Sequence, residues 1–114
     1  RKVSVPVSTL DNMIAKYGTP DFLKIDVEGG ELSVFKGLRS PVPVICFEAN
    51  LPRFREESLG IIERLRSNQA ARFNLRLENN FMFSSHQPAE EIIGILGRNE
   101  EVSYDIFVFN GKSA

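Results

Sequence analysis

The segment DFLKIDVEGGELSVFKGL, residues 21–38, constrains the fold more than any other part of the chain. It begins with an apolar, partly β-branched run over residues 21–27, which predicts a buried strand. Lys24 and Asp26 are separated by one residue, so both side chains point to the same face of that strand. A pair of glycines then allows a turn into a short helix, predicted over Glu31 to Leu38. A strand that ends in a turn and restarts as a helix indicates an α/β fold.

Hydrophobic periodicity and turn residues predict alternating strands and helices along the rest of the chain. The other predicted strands are Val3 to Val7, Val44 to Ala49, Arg72 to Leu77, Phe81 to Phe83, and Tyr104 to Phe109. The other predicted helices are Ser8 or Thr9 to Tyr17, Glu56 to Asn68, and Pro88 to Leu96. The first half reads β-α-β-α-β, which implies parallel pairing through right-handed crossovers. Because no repeat or linker interrupts the pattern, we predict one domain.

Composition excludes several classes of function. The chain has 114 residues, of which 42% are hydrophobic and 25% charged, as in ordinary globular proteins. Its net charge of −1 gives no electrostatic surface for nucleic acid or an acidic membrane. No apolar run approaches the ~18 residues of a membrane span. Cys46 is the one cysteine and cannot form an internal disulfide, which predicts a reducing, cytoplasmic location.

Polar side chains gather where two predicted strands end. Asp26 and Glu28 close the first of these strands, and Glu48 and Asn50 close the next. Ligands bind at the carboxyl ends of strands in open parallel sheets, and neighbouring strands lie about 4.8 Å apart. Paired carboxylates can act as a general base, with Lys24 as their ion-pair partner. They can also bind a divalent cation, with Asn50 as a further oxygen ligand.

A purely structural interpretation of the same residues stays open. Glu28 and Glu31 flank the start of a predicted helix, where carboxylates favour the helix dipole. Glu48 can form a salt bridge with Lys24. The paired glycines alone are weak evidence for a phosphate site, and the two glutamates beside them would repel a phosphate.

Several short motifs carry a resemblance to a known family. They are Thr9-Leu10-Asp11, the KIDVEG run from Lys24 to Gly29, Glu31, the pair Lys36-Gly37, and Phe47-Glu48. Over about the first 50 residues, this pattern resembles the FkbM-type family of S-adenosylmethionine-dependent methyltransferases. Beyond that point, the likeness lies only in the order of the elements.

The resemblance implies a Rossmann-like class I methyltransferase sheet, mostly parallel with an antiparallel finish. Such enzymes bind S-adenosylmethionine with a glycine-rich strand-to-helix turn and an acidic strand end, upstream of the TLD motif. Residues 1–114 would then be the C-terminal portion of the domain, without its cofactor-binding N-terminal half, and inactive alone. The implied reaction is methylation of a hydroxyl on a sugar, glycan or secondary metabolite.

In such an enzyme, the position of the acidic residues at the strand ends predicts roles for particular residues. The catalytic residues would be Asp26, Glu48 and Lys24, and Glu28 and Glu31 would contact the cofactor. No metal is expected; if one is present, its ligands would be Asp26, Glu48 and Asn50.

Two hypotheses from other classes remain. In one, the chain is a non-catalytic α/β module that forms a homo-oligomer through an exposed sheet edge, either Val3 to Val7 or Leu23 to Val27. In the other, Asp26 and Glu48 bind a divalent metal and perform hydrolysis. A bound metal on these carboxylates would favour the second hypothesis, and a large apolar interface would favour the first.

Overall fold

A computed structural model describes residues 8–26, 30–98 and 101–111 of the chain. Its helices are α1 (Leu10–Tyr17), α2 (Glu31–Lys36), α3 (Arg55–Leu65) and α4 (Ala89–Leu96). Its strands are β1 (Phe22–Ile25), β2 (Val44–Leu51), β3 (Arg72–Leu77), β4 (Asn80–Phe81) and β5 (Val102–Phe109). The alternation of strands and helices predicted from the sequence is confirmed in this part of the chain. The strand predicted for Val3 to Val7 lies outside the described residues.

The strands form one mixed sheet with the order β1-β2-β5-β3-β4. Among the described pairings, β1 and β2 are parallel, whereas β2–β5, β3–β5 and β3–β4 are antiparallel. The prediction of a mostly parallel sheet was therefore wrong for this part of the fold. The physical reason is the position of β5, which inserts between β2 and β3 and runs against both. β2 and β3 point in the same direction, as the crossover rule predicts, but they are not hydrogen-bonded neighbours.

β2 is longer than its sequence pattern indicated. The apolar pattern predicted an end at Ala49, but the strand pairs with β5 as far as Leu51 opposite Val102. Ala49 and Leu51 are buried, so burial of alternate side chains carries the strand past the polar residues. Glu48 consequently lies inside a strand and not at its end, which corrects the sequence prediction.

One face of the sheet, which we call the closed face, forms the hydrophobic core. Its side chains alternate along each strand and pack with apolar residues of α2, α3 and α4. Phe35 of α2 meets Phe47 of β2 edge to face, with 5.3 Å between ring centroids. Both side chains are almost fully buried. This packing holds the α2 crossover against the parallel pair β1–β2.

The opposite face, which we call the open face, carries polar and aromatic side chains. Strand register assigns to it Phe22, Lys24, Cys46, Glu48, Asn50, Ser103, Asp105, Phe107, Phe109, Arg72, Asn74 and Arg76. Strict alternation of polar and apolar residues in β3 predicted a solvent-exposed Asn74, but this side chain is 1% exposed. It donates to the Phe83 carbonyl at 3.0 Å and accepts from the Phe83 amide at 3.3 Å. The segment after β4 therefore covers part of β3.

The start of α1 is bonded to the chain just after α2. Thr9 caps α1 by accepting a hydrogen bond from the Asn12 amide at 3.1 Å. The Asp11 carboxylate accepts hydrogen bonds from the Arg39 amide and from the amide and hydroxyl of Ser40, each at 2.8 Å. These contacts lie at the edge of the sheet where β2 begins, opposite the carboxyl end of β1. Asp11 therefore joins the start of α1 to the segment that follows α2.

Replacing Asp11 with Asn is expected to change how stability depends on pH. The Ser40 and Arg39 amides that bind the carboxylate hold the pKa of Asp11 below its usual value of 3.8. The contribution of this charge to folding is thus complete above about pH 4 and is lost as the pH falls through the lowered pKa. Urea unfolding should show wild type more stable than Asp11→Asn near pH 6, with the gap closing near pH 2.5.

Asp21→Asn serves as the control, because Asp21 is exposed and precedes β1. The difference in unfolding free energy between wild type and Asp11→Asn could instead be the same at both pH values. That result would contradict the assignment of the stabilising effect to the ionised carboxylate.

Candidate functional site

The carboxyl end of the parallel strand pair brings the two predicted acidic residues to the same edge. β1 pairs with β2 so that Lys24 lies opposite Cys46 and Ile25 lies opposite Phe47. Asp26 follows directly, and the next position along this register is Glu48. Asp26 is exposed and Glu48 is half-buried. The pairing agrees with the prediction that Asp26 and Glu48 are brought together by neighbouring parallel strands, although only Asp26 follows its strand and Glu48 lies inside β2. Their catalytic roles remain a prediction.

A row of charged side chains crosses the open face beside this edge. Glu48 pairs with Asp105 of β5, and Asp105 pairs with Arg76 of β3. Arg76 Nη2 lies 3.0 Å from Asp105 Oδ2, and both side chains are about one-third exposed. The Arg76 guanidinium therefore neutralises the Asp105 carboxylate. Glu48, on the strand next to β1, is not part of this ion pair.

The next pair of residues toward the end of β2 is hydrogen-bonded across the strands. The Ser103 hydroxyl donates to the side-chain oxygen of Asn50, its partner in the register. The oxygen proposed as a metal ligand is thus engaged by a hydroxyl. Among the described residues, no group of three or more His, Cys, Asp and Glu side chains could hold a metal ion.

Cys46 lies at the centre of the open face but is buried beneath its neighbours. Burial raises the pKa of the thiol to about 11, and the negative charge of Asp105 adds to the effect. The charges of Lys24 and Arg76 act in the opposite direction. At neutral pH the thiol is protonated, so Cys46 is not a nucleophile.

Aromatic rings occupy the other end of the open face. The Phe107 ring lies 5.1 Å from that of Phe81 and 6.3 Å from that of Phe22. Arg76 lies over the Phe107 ring at 4.9 Å, and His86 stacks on Phe109 at 3.7 Å. Phe22 and Phe81 are 49% and 48% exposed. The charged row and the aromatic rings therefore share one surface, with Arg76 in contact with both.

The remaining predicted site residues, Glu28 and Glu31, lie in the chain between β1 and α2 and at the start of α2. Glu28 lies outside the described residues, so its role stays a prediction. Glu31 is in the first turn of α2 and is 5% exposed. Gly30 precedes it with φ of 116°, a left-handed conformation that favours glycine. The Gly30 amide donates to both carboxylate oxygens of Glu57, each at 3.2 Å.

Sequence reasoning missed three residues of this region, Arg76, Asp105 and Glu57. Asp105 did carry a signal, because it is a charged residue inside an otherwise apolar strand. Its pairing with Arg76 depends on the insertion of β5 beside β3, which no local pattern shows. Glu57 had no signal, because its partner lies 27 residues away in the chain.

No helix in the described ranges has the length and apolar character to cross a membrane. The described residues form an α/β arrangement in which the crossover helix α2 joins the parallel pair β1–β2 and acidic residues lie at the carboxyl edge of that pair. In open α/β sheets, ligand sites usually lie at this edge.

Residues 1–86 match the Methyltransferase FkbM domain, so the chain belongs to this methyltransferase family. The match confirms the family recognised from the sequence motifs, and it extends beyond the first 50 residues to the segment after β4. No curated protein and no solved structure matches the chain.

Proposed function

We propose that the protein transfers a methyl group from S-adenosylmethionine to a hydroxyl oxygen of a sugar, glycan or secondary metabolite. The family supports methyl transfer in general. The observation that carries the finer proposal is the placement of the exposed Asp26 at the carboxyl edge, one register position beyond the parallel pair Ile25–Phe47. A hydroxyl acceptor must lose a proton as its oxygen is methylated, and a carboxylate at this edge can accept that proton.

The three proposed catalytic residues have different tasks. Asp26 accepts the proton of the acceptor hydroxyl and orients its oxygen. Glu48, half-buried on the neighbouring strand, supplies a second acceptor for the hydroxyls of the substrate. Lys24 is exposed on the same face, two register positions before Asp26, where its charge offsets that of the carboxylates. Because methyl transfer is an in-line displacement, alignment of the acceptor contributes as much as proton removal.

The described residues suit one end of the cofactor. S-adenosylmethionine, when bound, supplies an electrophilic methyl group on a positively charged sulfur. The exposed Asp26 and the half-buried Glu48 are negatively charged side chains that fit a cation or ribose hydroxyls. Glu31 is buried and Glu28 lies outside the described residues, so their contact with the cofactor remains proposed.

Methyl-transfer assays test the proposal. The full-length protein should be incubated with S-adenosylmethionine carrying a labelled methyl group and with panels of glycosides and of small hydroxylated metabolites. Label should appear as a methyl ether of one acceptor class. Transfer to nitrogen or carbon acceptors, with none to oxygen, would overturn the hydroxyl specificity. Transfer to no acceptor, despite tight cofactor binding, would overturn the acceptor class.

The isolated 114-residue chain is expected to bind S-adenosylmethionine too weakly for detection at micromolar concentration. Residues 1–8 contain no glycine, whereas the resemblance implies a glycine-rich strand-to-helix turn for the cofactor upstream of Thr9. Each missing hydrogen bond to a charged partner costs roughly 1.5–3 kcal/mol, so several together weaken binding by orders of magnitude. Titration calorimetry measures this directly, with the full-length protein as the positive control. Micromolar affinity of the chain alone would place the whole cofactor site within these residues.

Two further properties stay predictions. The buried free thiol of Cys46 suits a reducing, cytoplasmic compartment. Among the described strands, β1 pairs with β2 alone, and the other edge of β1 is the one that we propose for a homo-oligomer contact.

A further inference from the structure

Helix α2 is held at both ends by side chains of α3. At its start, the Glu57 carboxylate accepts the Gly30 amide hydrogen with Oε1 and Oε2, each at 3.2 Å. At its end, Arg64 donates from Nε to the Phe35 carbonyl at 3.1 Å and from Nη2 to the Lys36 carbonyl at 3.2 Å. A carboxylate at the start of a helix and a guanidinium at its end both complement the helix dipole.

The two contacts lie beside opposite ends of the parallel strands β1 and β2. α2 begins beyond the carboxyl end of β1, five residues after Asp26, and it ends before the beginning of β2. Glu57 is thus on the side of the candidate site, and Arg64 is on the far side. The two helices also touch between these points, since a Cβ added at Gly60 would lie 3.5 Å from Leu32.

Glu57 joins the chain segments that follow the two parallel strands. It belongs to the first turn of α3, the helix that follows β2, and it binds the amide of Gly30, which directly precedes α2. Gly30 has a positive φ, which allows its N–H to be directed toward α3. The pairing of β1 with β2 fixes the chain at Ile25, just before Asp26, and the hydrogen bond to Glu57 fixes it again at Gly30.

We propose that Glu57 is a positioning residue for Asp26. By holding the Gly30 amide, four residues after Asp26, its carboxylate fixes the chain close to Asp26 and so the direction of the Asp26 carboxylate toward the acceptor. This inference rests on the proposed function for its consequence in catalysis, but the hydrogen bond itself can be tested without activity.

Steady-state kinetics of the full-length protein provide the first test. Glu57→Ala is expected to lower kcat by about 10- to 100-fold, because small displacements of a reacting group are costly, and to leave the cofactor Kd little changed. Glu57→Gln keeps an acceptor oxygen for the Gly30 amide and should restore kcat to within about fivefold of wild type. Glu56→Ala, at the exposed neighbouring position, should be unchanged in every constant.

Arg64→Ala is the matched control for stability. It removes the contacts at the other end of α2 and should lower the unfolding midpoint in urea while kcat at a permissive temperature stays near wild type. If Glu57→Ala and Arg64→Ala lose stability and kcat in the same proportion, Glu57 only stabilises α2 and the proposal is overturned. If kcat of Glu57→Gln is as low as that of Glu57→Ala, the negative charge of Glu57 matters and the hydrogen bond to Gly30 does not. This result would also overturn the positioning role.

Amide hydrogen exchange separates this inference from the proposed function. The Gly30 amide should be protected in wild type and should exchange at least about tenfold faster in Glu57→Ala, with the amides of β2 unchanged. If the protein transfers no methyl group but Gly30 loses protection, the proposed function fails and the contact stands. If Gly30 exchanges at the same rate in both proteins, the positioning role fails, whatever the enzyme activity.

Discussion

Replacing Asp26 with Asn in the full-length protein is expected to lower kcat for methyl transfer by about 10²- to 10⁴-fold, the usual contribution of a general base. The amide has nearly the same size but cannot accept the proton of the acceptor hydroxyl. Because the backbone and the neighbouring strand are unchanged, the Kd of S-adenosylmethionine should change by less than about threefold, or under 1 kcal/mol. Labelled methyl transfer and calorimetry measure the two quantities separately.

Asp21→Asn is the matched control for Asp26→Asn. Asp21 is also exposed and lies beside the same strand, but at its other end. It should have wild-type kcat and KM. Near-normal turnover of Asp26→Asn would remove Asp26 from the mechanism. A large loss of cofactor affinity with kcat retained would instead assign this carboxylate to the cofactor.

The largest expected effect on stability comes from the closed face. Phe47→Ala should lower the free energy of unfolding by about 3–5 kcal/mol, because the truncation leaves a cavity against Phe35 in the middle of the core. Phe22→Ala makes the same chemical change on the open face, where the ring is 49% exposed, and should cost about 1 kcal/mol. Urea denaturation followed by circular dichroism gives both values. Equal losses would show that the two faces are buried to the same degree in solution.

Local sequence patterns predicted most of the elements of this fold. Strand β3 begins at Arg72 and ends at Leu77 as its alternation predicts, and α1 begins after a Thr9 cap. These features depend on neighbours within a few positions in the chain. The end of β2 was predicted too early, because its last residues are held by pairing with Val102, about 50 residues away.

The candidate site was predictable only where it lies on one strand pair. Asp26 and Glu48 could be brought together because the β-α-β pattern fixes which strands are neighbours and which edge they share. The Arg76–Asp105 pair could not be predicted from the sequence, since it depends on the position of β5 in the sheet. The contact between Glu57 and Gly30 depends on how α3 packs beside α2, which periodicity does not specify.

The place of β5 has a consequence for how this chain is made. A ribosome releases residues in order, so β1, β2 and β3 all emerge before the strand that lies between the latter two. Until then, β2 and β3 each expose an unsatisfied backbone edge, and the two blocks of the sheet have no hydrogen bonds joining them. Completion of the sheet must therefore wait until β5 has been synthesised. Nascent chains stalled before Val102 lack this strand and are open to wrong pairing with other chains.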